Sequence, residues 1–235
     1  MGRDERLASQ VIAASDVLLL VLDARCVPAD PYPALVRKIR KCGKRYVFVV
    51  NKVDLIGARE QSRIRIAPAV FVSATSRVGT VRLLRKIMEL GRGAQVVAGV
   101  LGAPNVGKSS LINALKGRRS ASTSPVAGHT RGLQRVRVSG SVLLLDSPGV
   151  VDARAGLAAL DPDREDPELL AFAIIEGHAN LIEERFGVRY AGDAEETLAR
   201  IAHARGVIGR GDVPDTRRMA VEIVRMWQRG TWNKR

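Results

Sequence analysis

Five short apolar runs place the strongest constraint on what this chain can fold into. Each run is four to six residues long, which suits a strand buried on both faces of a sheet, and the runs lie at 17–22, 46–50, 69–72, 96–101 and 142–145. Amphipathic helical patterns lie between them, over Ala34–Lys41, Gly79–Leu90 and Lys108–Leu115. Because strands that alternate with helices are typical of parallel sheets, the first 150 residues are predicted to form an α/β domain around a mostly parallel sheet.

The remainder of the chain carries only helical patterns. Asp166 followed by Pro167 is a helix start, Asp193 with a glutamate three residues later resembles a capping box, and a last helix is predicted over about Asp215–Arg229. The predicted organisation is therefore an α/β domain, an acidic linker and a small all-α C-terminal domain, over residues 1–151, 152–167 and 168–235 respectively.

Side-chain spacing assigns faces to two of these helices. In the helix over 79–90, the predicted inward stripe consists of Val81, Leu84, Ile87 and Met88. In the last helix the predicted inward residues are Met219, Ile223, Val224 and Trp227. The candidate RNA-binding residues on its other face are Arg217, Arg218, Arg225 and Arg229. The alternative is that these arginines only keep a small helical domain in solution.

Positive charge is concentrated in the first part of the chain. The sequence has 38 Lys and Arg against 24 Asp and Glu, a formal net charge of +14, and residues 1–150 hold 25 of the former and 9 of the latter. The densest cluster is Arg37–Lys41, with Lys44 and Arg45 close behind. Dense Lys and Arg neutralise phosphates, so contact with nucleic acid is expected rather than a merely solvated surface. Because aromatic residues make up only 4%, we expect shaped RNA rather than stacked single strands, and no DNA.

Composition disfavours several other classes of protein. No apolar run approaches the roughly 18 residues of a membrane helix, so no membrane partner is expected. The first six residues do not resemble a secretory signal. Cys26 and Cys42 provide neither a disulfide framework nor the spacing of a zinc site. We therefore expect a cytoplasmic protein.

The segment Gly102–Ser109 fits the pattern Gly-x-x-x-x-Gly-Lys-Ser/Thr, directly after an apolar run and directly before a predicted helix. In that setting the glycines let backbone N–H groups surround phosphate oxygens, Lys108 brings a charge to the β- and γ-phosphates, and the Ser109 hydroxyl can ligate Mg²⁺. The pattern predicts a nucleoside triphosphate site. Its predicted binding residues are Pro104, Asn105, Val106, Gly107, Lys108, Ser109 and Ser110.

Residues 51–54, Asn-Lys-Val-Asp, follow the run at 46–50, where the ligand loops of open α/β sheets gather. An ionised Asp54 offers two acceptors to the N1 and N2 donors of guanine, whereas adenine has an acceptor at N1. Asn51 can join this loop to the phosphate loop, and the stem of Lys52 can cover the base. The tetrapeptide therefore predicts selection of guanine.

A second loop points to the same base. Ser73, Ala74 and Thr75 follow the run at 69–72, about twenty residues after the first loop. At that spacing the backbone N–H of Ala74 is placed to meet guanine O6. We therefore include the three residues among the predicted nucleotide contacts.

Asp146-Ser-Pro-Gly149 follows the run at 142–145. Asp146 is predicted to join the Mg²⁺ shell, and the Gly149 N–H to bind the γ-phosphate. Between this motif and the phosphate loop, Thr130 is the best candidate for a threonine that closes over the metal, and its competitors are Ser122, Thr123 and Ser124. The predicted metal ligands are thus Ser109, Thr130 and Asp146.

The order of these motifs is permuted. Ordinary GTPases have the phosphate loop first and the guanine loops last, whereas the motifs here begin, in order, at Asn51, Ser73, Gly102, Thr130 and Asp146. This order resembles the circularly permuted GTPases of the YlqF/YawG type, a ribosome-assembly family. The stretch Asp23–Pro28 is similar to a recurrent signature of that family, Asp-Ala-Arg-x-Pro, and residues 206–212 with the final helix look like its C-terminal RNA-binding region.

The resemblance implies a P-loop NTPase fold, namely a circularly permuted Ras-like GTPase domain followed by a small all-α domain. It also implies binding of GTP or GDP with Mg²⁺, and a partner in ribosomal RNA or a precursor of the large ribosomal subunit. Because the motif at Asp146 leads straight into the helical tail, the nucleotide state is expected to bias the position of that tail.

The sequence leaves the catalytic group open. Autonomous GTPases often have a glutamine directly after Asp-x-x-Gly, where this chain has Val150. The resemblance therefore implies that the protein hydrolyses GTP slowly by itself and is stimulated by a partner, with transition-state support from Lys108, Thr130 and Gly149.

His129 is a further candidate for the catalytic group, because the chain opens on a helix-like segment instead of the Phe-Pro-Gly-His segment of part of the family. Asn105 stands where potassium-activated relatives carry an asparagine, so K⁺ is a candidate cofactor.

The sequence thus predicts a GTP-hydrolysing switch in large-subunit assembly that is a monomer away from the ribosome. Two alternatives stay open. One is an RNA-binding module that keeps GTP or GDP as a structural ligand without hydrolysis. The other is a GTPase that acts on tRNA or another RNA.

Overall fold

The computed structural model describes residues 3–116, 134–146, 162 and 165–231. The chain divides into two compact units, Met1–Ala159 and Leu160–Arg235, and each is considered by itself below. Of the linker predicted over 152–167, only residues 162 and 165–167 are among those described.

The first unit is a sheet with helices on both faces. Its described strands are β1 (Val17–Asp23), β2 (Arg45–Asn51), β3 (Ala69–Phe71), β4 (Val96–Gly102), β5 (Gln134–Arg137) and β6 (Val142–Asp146). Its described helices are α1 (Arg3–Ala14), α2 (Pro33–Lys41), α3 (Ala58–Arg63), α4 (Thr80–Gly91) and α5 (Lys108–Lys116). All five predicted strands and all three helices predicted for this unit are therefore found, with ends that differ by at most one residue.

The strand order is β3-β2-β1-β4-β6-β5. Every described pairing is parallel except that of β5 with β6, which is antiparallel, so the mostly parallel α/β sheet is confirmed. The short edge strand β5 was not predicted. Three of its four side chains are exposed and it contains a single apolar residue, so it lacks the apolar run that marks the other strands.

The central strand β1 shows why helices cover both faces. All seven of its residues are buried, and successive side chains of a strand point to opposite faces. Val17, Leu19 and Val21 pack with residues of α4 and α5. On the other face, Leu18, Leu20 and Leu22 pack with residues of α1 and α2.

The inward stripe predicted for α4 is wrong at one position. Val81 is 61% exposed, whereas Leu83 is fully buried together with Ile87, and Leu84 and Met88 are only partly buried. Residues two apart on an α-helix differ by about 200° in direction, so the face that buries Leu83 turns Val81 towards solvent. The observed inward stripe is centred on Leu83 and Ile87, which are four residues apart on the helix.

The second unit is helical in its described part. Its helices are α6 (Pro167–Gly177), α7 (Ala179–Phe186), α8 (Ala194–Ala204) and α9 (Thr216–Arg229). Asp166, Asp193 and Asp215 cap α6, α8 and α9, since each carboxylate accepts a hydrogen bond from a backbone N–H of the first turn. The short helix α7 was not predicted. No described helix in either unit combines the length and apolarity needed to cross a membrane.

The predicted faces of α9 are confirmed. Met219, Ile223, Val224 and Trp227 are all fully buried, and the Trp227 ring lies 4.3 Å from that of His178, measured between centroids. The exposed side chains of α9 include Arg217, Arg218, Arg225 and Arg229.

One glycine allows α1 to lie directly on the sheet. A Cβ atom added to Gly99 of β4 would overlap Ser15 Oγ and Val11 Cγ1. Val11 lies on the buried side of α1, and the buried residue Ser15 directly follows that helix. Any larger residue at this position would therefore push the helix away from the strand.

We expect Gly99→Ala to lower the free energy of unfolding of the first unit by about 1–3 kcal/mol, because the added methyl overpacks this contact. Urea unfolding followed by circular dichroism measures the loss. The matched control is Gly140→Ala, since nothing lies within 4 Å of a Cβ there, and its effect should stay within about 0.5 kcal/mol. Equal losses in the two variants would contradict the packing argument.

Candidate functional site

The predicted ligand loops meet at one edge of the sheet. β2 ends at Asn51, β4 at Gly102 and β6 at Asp146, and β3 is followed directly by the loop that contains Ser73. Because these strands are parallel, their carboxyl ends lie side by side. The fold therefore brings together motifs that are far apart in the sequence.

The side chain of Asn51 joins three loops. Its Nδ2 donates to the carbonyl of Val106 in the phosphate loop at 3.0 Å, and its Oδ1 accepts from the backbone N–H of Ala74 at 3.1 Å. Gly107 is required for this approach, because it has φ +93° and a Cβ there would overlap Asn51 Nδ2. The predicted link between the guanine loop and the phosphate loop is thus present, and it extends to the Ser-Ala loop.

Lys52 makes a second link between the two halves of the site. Its backbone is left-handed, with φ 65°, and its Nζ donates to the carbonyl of Asn105 at 2.7 Å. The same ammonium lies 2.9 Å from Asp23 Oδ2. The side chain therefore spans from the end of β1 to the phosphate loop.

Asp23 is a site residue to which the sequence analysis gave no function. Its buried carboxylate binds Arg25 through two contacts, Nε to Oδ1 at 2.9 Å and Nη2 to Oδ2 at 2.7 Å, in addition to Lys52. Burial opposes ionisation, but the hydrogen bonds and charges of Arg25 and Lys52 hold the pKa of Asp23 below its usual value. The available signal was its position, since Asp23 ends an apolar strand whose neighbour ends at Asn51.

Tyr32 was also missed. Its hydroxyl donates to the carbonyl of Val21 at 2.8 Å and accepts from the N–H of Ala103 at 3.1 Å. The start of the phosphate loop is thereby fixed to β1. Burial raises the pKa of Tyr32 to about 12, so its hydroxyl keeps its proton across the physiological range.

Lys108 is buried within its own loop. Its Nζ donates to the carbonyls of Gly102 at 2.9 Å and Ala103 at 2.6 Å. Burial lowers its pKa to about 8, and the nearby charge of Asp146 acts in the opposite direction. The lysine predicted to bind phosphate is therefore at the site, but its amine begins to lose its proton as the pH rises towards 8.

The other phosphate-loop residues present their groups at the same edge. Pro104 and Asn105 are exposed, and Ser109 and Ser110 are exposed on the first turn of α5. A helix N-terminus with free N–H groups favours phosphate. Val106 is buried beside the carbonyl that Asn51 binds.

The predicted base-reading groups have different surroundings. Asp54 and Thr75 are exposed, and Ser73 is buried and accepts a hydrogen bond from the N–H of Ser76 at 3.1 Å. The Ala74 N–H that we assigned to guanine O6 donates here to Asn51. A base at this position would have to share that donor or take it over.

Two of the three predicted metal ligands lie in the described residues. The Ser109 hydroxyl is exposed on α5, and the Asp146 carboxylate ends β6 close enough to act on Lys108. Both are the hard oxygen donors that Mg²⁺ prefers, and a site with few protein ligands suits an ion that keeps several waters. The predictions for Thr130, for its competitors Ser122, Thr123 and Ser124, and for His129, Gly149 and Val150 lie outside the described residues.

Comparison with known proteins identifies relatives along the whole chain. A family model described as "50S ribosome-binding GTPase" matches residues 97–187. The GTP-binding protein MJ1464 of Methanocaldococcus jannaschii is 36% identical over 97% of this chain and 66% of its own length. Nuclear GTP-binding protein NUG1 of Saccharomyces cerevisiae is 29% identical over 96% of this chain and 54% of its own. The chain thus spans between about half and two thirds of the length of these relatives.

Solved structures show the same fold. A GNP-bound YlqF from T. maritima has a TM-score of 0.63 at 20% identity, with 97% of this chain and 94% of that chain covered. Its GDP-bound form has a TM-score of 0.60, also at 20% identity, and 94% of this chain and 93% of that chain are covered. At this level of identity the likeness concerns the fold.

We expect Asp23→Asn to weaken GDP binding roughly tenfold, because Lys52 loses the carboxylate that holds it over the phosphate loop. Calorimetric titration measures the affinity. The informative control is Lys52→Met, alone and combined with Asp23→Asn. If Asp23 acts through Lys52, the double variant binds GDP no more weakly than Lys52→Met. Additive losses would contradict this role.

The pKa of Lys108 predicts a pH dependence of binding. Phosphates favour the protonated amine, so its pKa rises above about 8 when a nucleotide binds. GDP affinity is therefore expected to fall as the pH rises above 8, by up to about tenfold per pH unit. Titrations between about pH 7 and 9 test this against Lys108→Arg, whose guanidinium stays charged. The same slope in both proteins would assign the effect to another group.

Proposed function

Because the chain belongs to the circularly permuted GTPases of the YlqF/YawG type, we propose that it binds GTP and GDP and hydrolyses GTP as a switch in assembly of the large ribosomal subunit. The observation that carries the proposal is the Asn51 amide. It binds the carbonyl of Val106, 55 residues away in the sequence, and so joins the base-reading and phosphate-binding loops into one site.

The proposal gives each loop a role at the nucleotide. Asp54 reads guanine, Ala74 binds its O6 and the stem of Lys52 covers the ring. Residues 104–110 surround the phosphates, with Lys108 as the charge. When bound, Mg²⁺ neutralises charge on the phosphates, and the residues proposed to hold it are Ser109, Thr130 and Asp146.

Hydrolysis is proposed to be slow in the isolated protein. Val150 has no group that can orient water, so the missing contribution comes from the ribosomal particle or from a conformation that it induces. Such a partner can accelerate GTP hydrolysis by up to ~10⁵-fold. Asn105 is proposed to help hold K⁺, while Lys108, Thr130 and Gly149 support the transition state.

The partner is proposed to be ribosomal RNA in a precursor of the large subunit. The positive charge of the first part and the exposed arginines of α9 support this, and the matched family is described by its binding to the 50S ribosome. In this scheme residues 1–151 hold the nucleotide, 152–167 link the domains and 168–235 bind RNA. The protein is proposed to act as a monomer away from the particle and in the cytoplasm.

A second candidate function is an RNA-binding module that keeps GTP or GDP as a structural ligand. Val150 favours it, because the position after Asp-x-x-Gly lacks a water-orienting side chain. This candidate predicts tight nucleotide binding without turnover under any condition.

Turnover of GTP with and without purified large ribosomal subunits separates the two. The switch predicts strong stimulation by the subunits, greater in potassium than in sodium buffer, and its loss in Lys108→Ala. Tight GTP binding without stimulation would instead support the structural-ligand module. Stimulation by tRNA but not by large subunits would support a GTPase that acts on another RNA.

Base selection is tested by Asp54→Asn. The amide replaces one acceptor with a donor, so GDP affinity is expected to fall roughly 100-fold while xanthosine diphosphate, which has an oxygen at C2, gains affinity. Competition against a labelled nucleotide measures both. Asp30→Asn is the control, because it removes the same charge from an exposed side chain. Unchanged guanine selectivity in Asp54→Asn would show that another residue reads the base.

A further inference from the structure

We propose that the first unit carries an RNA-docking surface at the amino ends of its strands, opposite the nucleotide site, and that this surface binds the phosphate backbone of double-stranded RNA. We call it the basic edge, defined by Arg37, Lys38, Arg40, Lys41, Lys44 and Arg45. The inference rests on the proposed RNA-binding function and deepens it by naming a surface in the α/β unit.

The topology places these residues at that end of the sheet. α2 starts after β1 has ended and leads to the start of β2 at Arg45, so its last turn lies beside the amino ends of the strands. Three contacts agree with this. Lys38 Nζ donates to Ser9 Oγ of α1 at 2.7 Å, Lys44 Nζ to the Ser15 carbonyl at 2.7 Å, and Arg45 Nη1 to the Leu90 carbonyl in α4 at 2.8 Å.

None of the six cations is neutralised by a carboxylate within 4 Å in the part of the chain that the structure describes. Among the described residues two carboxylates lie near this edge; Glu89 is paired with a cation and Asp16 with a neutral N–H, so one unpaired carboxylate stands against the six cations. Asp16 Oδ2 accepts from the Val97 N–H at 2.8 Å, and Glu89 pairs with Lys86 at 2.8 Å. Six like charges in nine consecutive residues repel one another, so this surface is suited to a polyanion.

Helix capping explains only part of this charge. The carbonyl ends of α1, α2 and α4 meet at the basic edge, and cations offset the negative end of a helix dipole. Lys44 and Arg45 do so directly, through the carbonyls of Ser15 and Leu90. In the described part of the chain Arg37 and Lys41 make no such contact, and both are exposed, so their charges are available to a partner.

The geometry favours the backbone of a duplex over a single strand. Arg37 and Lys41 are four residues apart on α2, so their Cβ atoms lie about 5–6 Å apart on one face of the helix, a spacing that suits neighbouring phosphates of a duplex or of a single strand. Stacking of splayed bases needs an open aromatic ring. Tyr46, beside these cations, is instead covered by Arg40 at 5.7 Å from its centroid and packs edge-on against Phe48.

The test compares two double variants of the full chain that lose the same charge. Arg37→Ala with Lys41→Ala removes the two exposed cations of the basic edge. The control is Arg82→Ala with Arg85→Ala, two exposed arginines on α4, which packs on the opposite face of the sheet. The probe is a fluorescent RNA duplex of about 20 base pairs, titrated between about 50 and 200 mM salt, and GDP affinity is measured in parallel.

Loss of the basic-edge pair should reduce the slope of log K against log salt by about 2 and weaken duplex binding about tenfold, with GDP affinity unchanged. The control pair should change neither. Equal losses in both variants, or a loss in neither, would overturn the assignment of this surface. An equal loss with a single strand of the same length would overturn the preference for a duplex.

Two further outcomes separate this inference from the function on which it rests. If the variant loses affinity for intact large subunits but not for the duplex or for protein-free ribosomal RNA, the surface binds a protein and the inference is wrong. If the wild-type chain binds GDP but neither RNA nor large subunits, the proposed RNA-binding function fails, and the inference fails with it.

Discussion

The candidate site depends on one buried amide. Asn51 satisfies a carbonyl of the phosphate loop and an N–H of the Ser-Ala loop at once, which only a side chain with both a donor and an acceptor can do. Removal of either bond would leave a buried backbone group unsatisfied, at a cost of about 1–3 kcal/mol. Gly107 makes the approach possible because it has no Cβ. Loops from both halves of a permuted chain are thereby held at hydrogen-bond distance.

Charge is used differently at the two ends of the sheet. At the nucleotide end the cations are enclosed, since Arg25 and Lys52 share the carboxylate of Asp23 and Lys108 lies against carbonyls. These contacts fix the positions of the charges before a ligand arrives, which lowers the cost of binding. At the basic edge Arg37, Arg40 and Lys41 are exposed, and the six cations lack carboxylate partners among the described residues, as suits the phosphate backbone of a nucleic acid. In the proposed function one domain thus holds a nucleotide at one end of the sheet and docks on RNA at the other, without competition between the two.

The sequence predicted the strands and loops that are marked by a regular residue pattern. Apolar runs located five strands, and motif spacing located the loops that Asn51 joins. The sequence was a poor guide where a structural role depends on packing between distant residues. The edge strand β5 was not predicted because it has no apolar run, and Val81 was wrongly placed on the inward face of α4. Asp23 and Tyr32 were missed as site residues because the contacts that join them to the site, Asp23 with Lys52 and Tyr32 with Ala103, link residues of different strands and loops. Contacts of that kind follow from the strand order, which the apolar runs do not specify.

The central claim is that loops encoded in permuted order act as one guanine-nucleotide site. Calorimetric titration of the wild-type protein with GDP, ADP and guanosine, in magnesium buffer, tests this directly. We expect GDP to bind at least ~10³-fold more tightly than ADP, because adenine leaves the base-reading groups unpaired, and at least ~10³-fold more tightly than guanosine, because guanosine lacks the phosphates that the phosphate loop binds. Equal affinity for GDP and ADP would show that the base loops do not read guanine. Equal affinity for GDP and guanosine would show that the phosphate loop is not part of the same site.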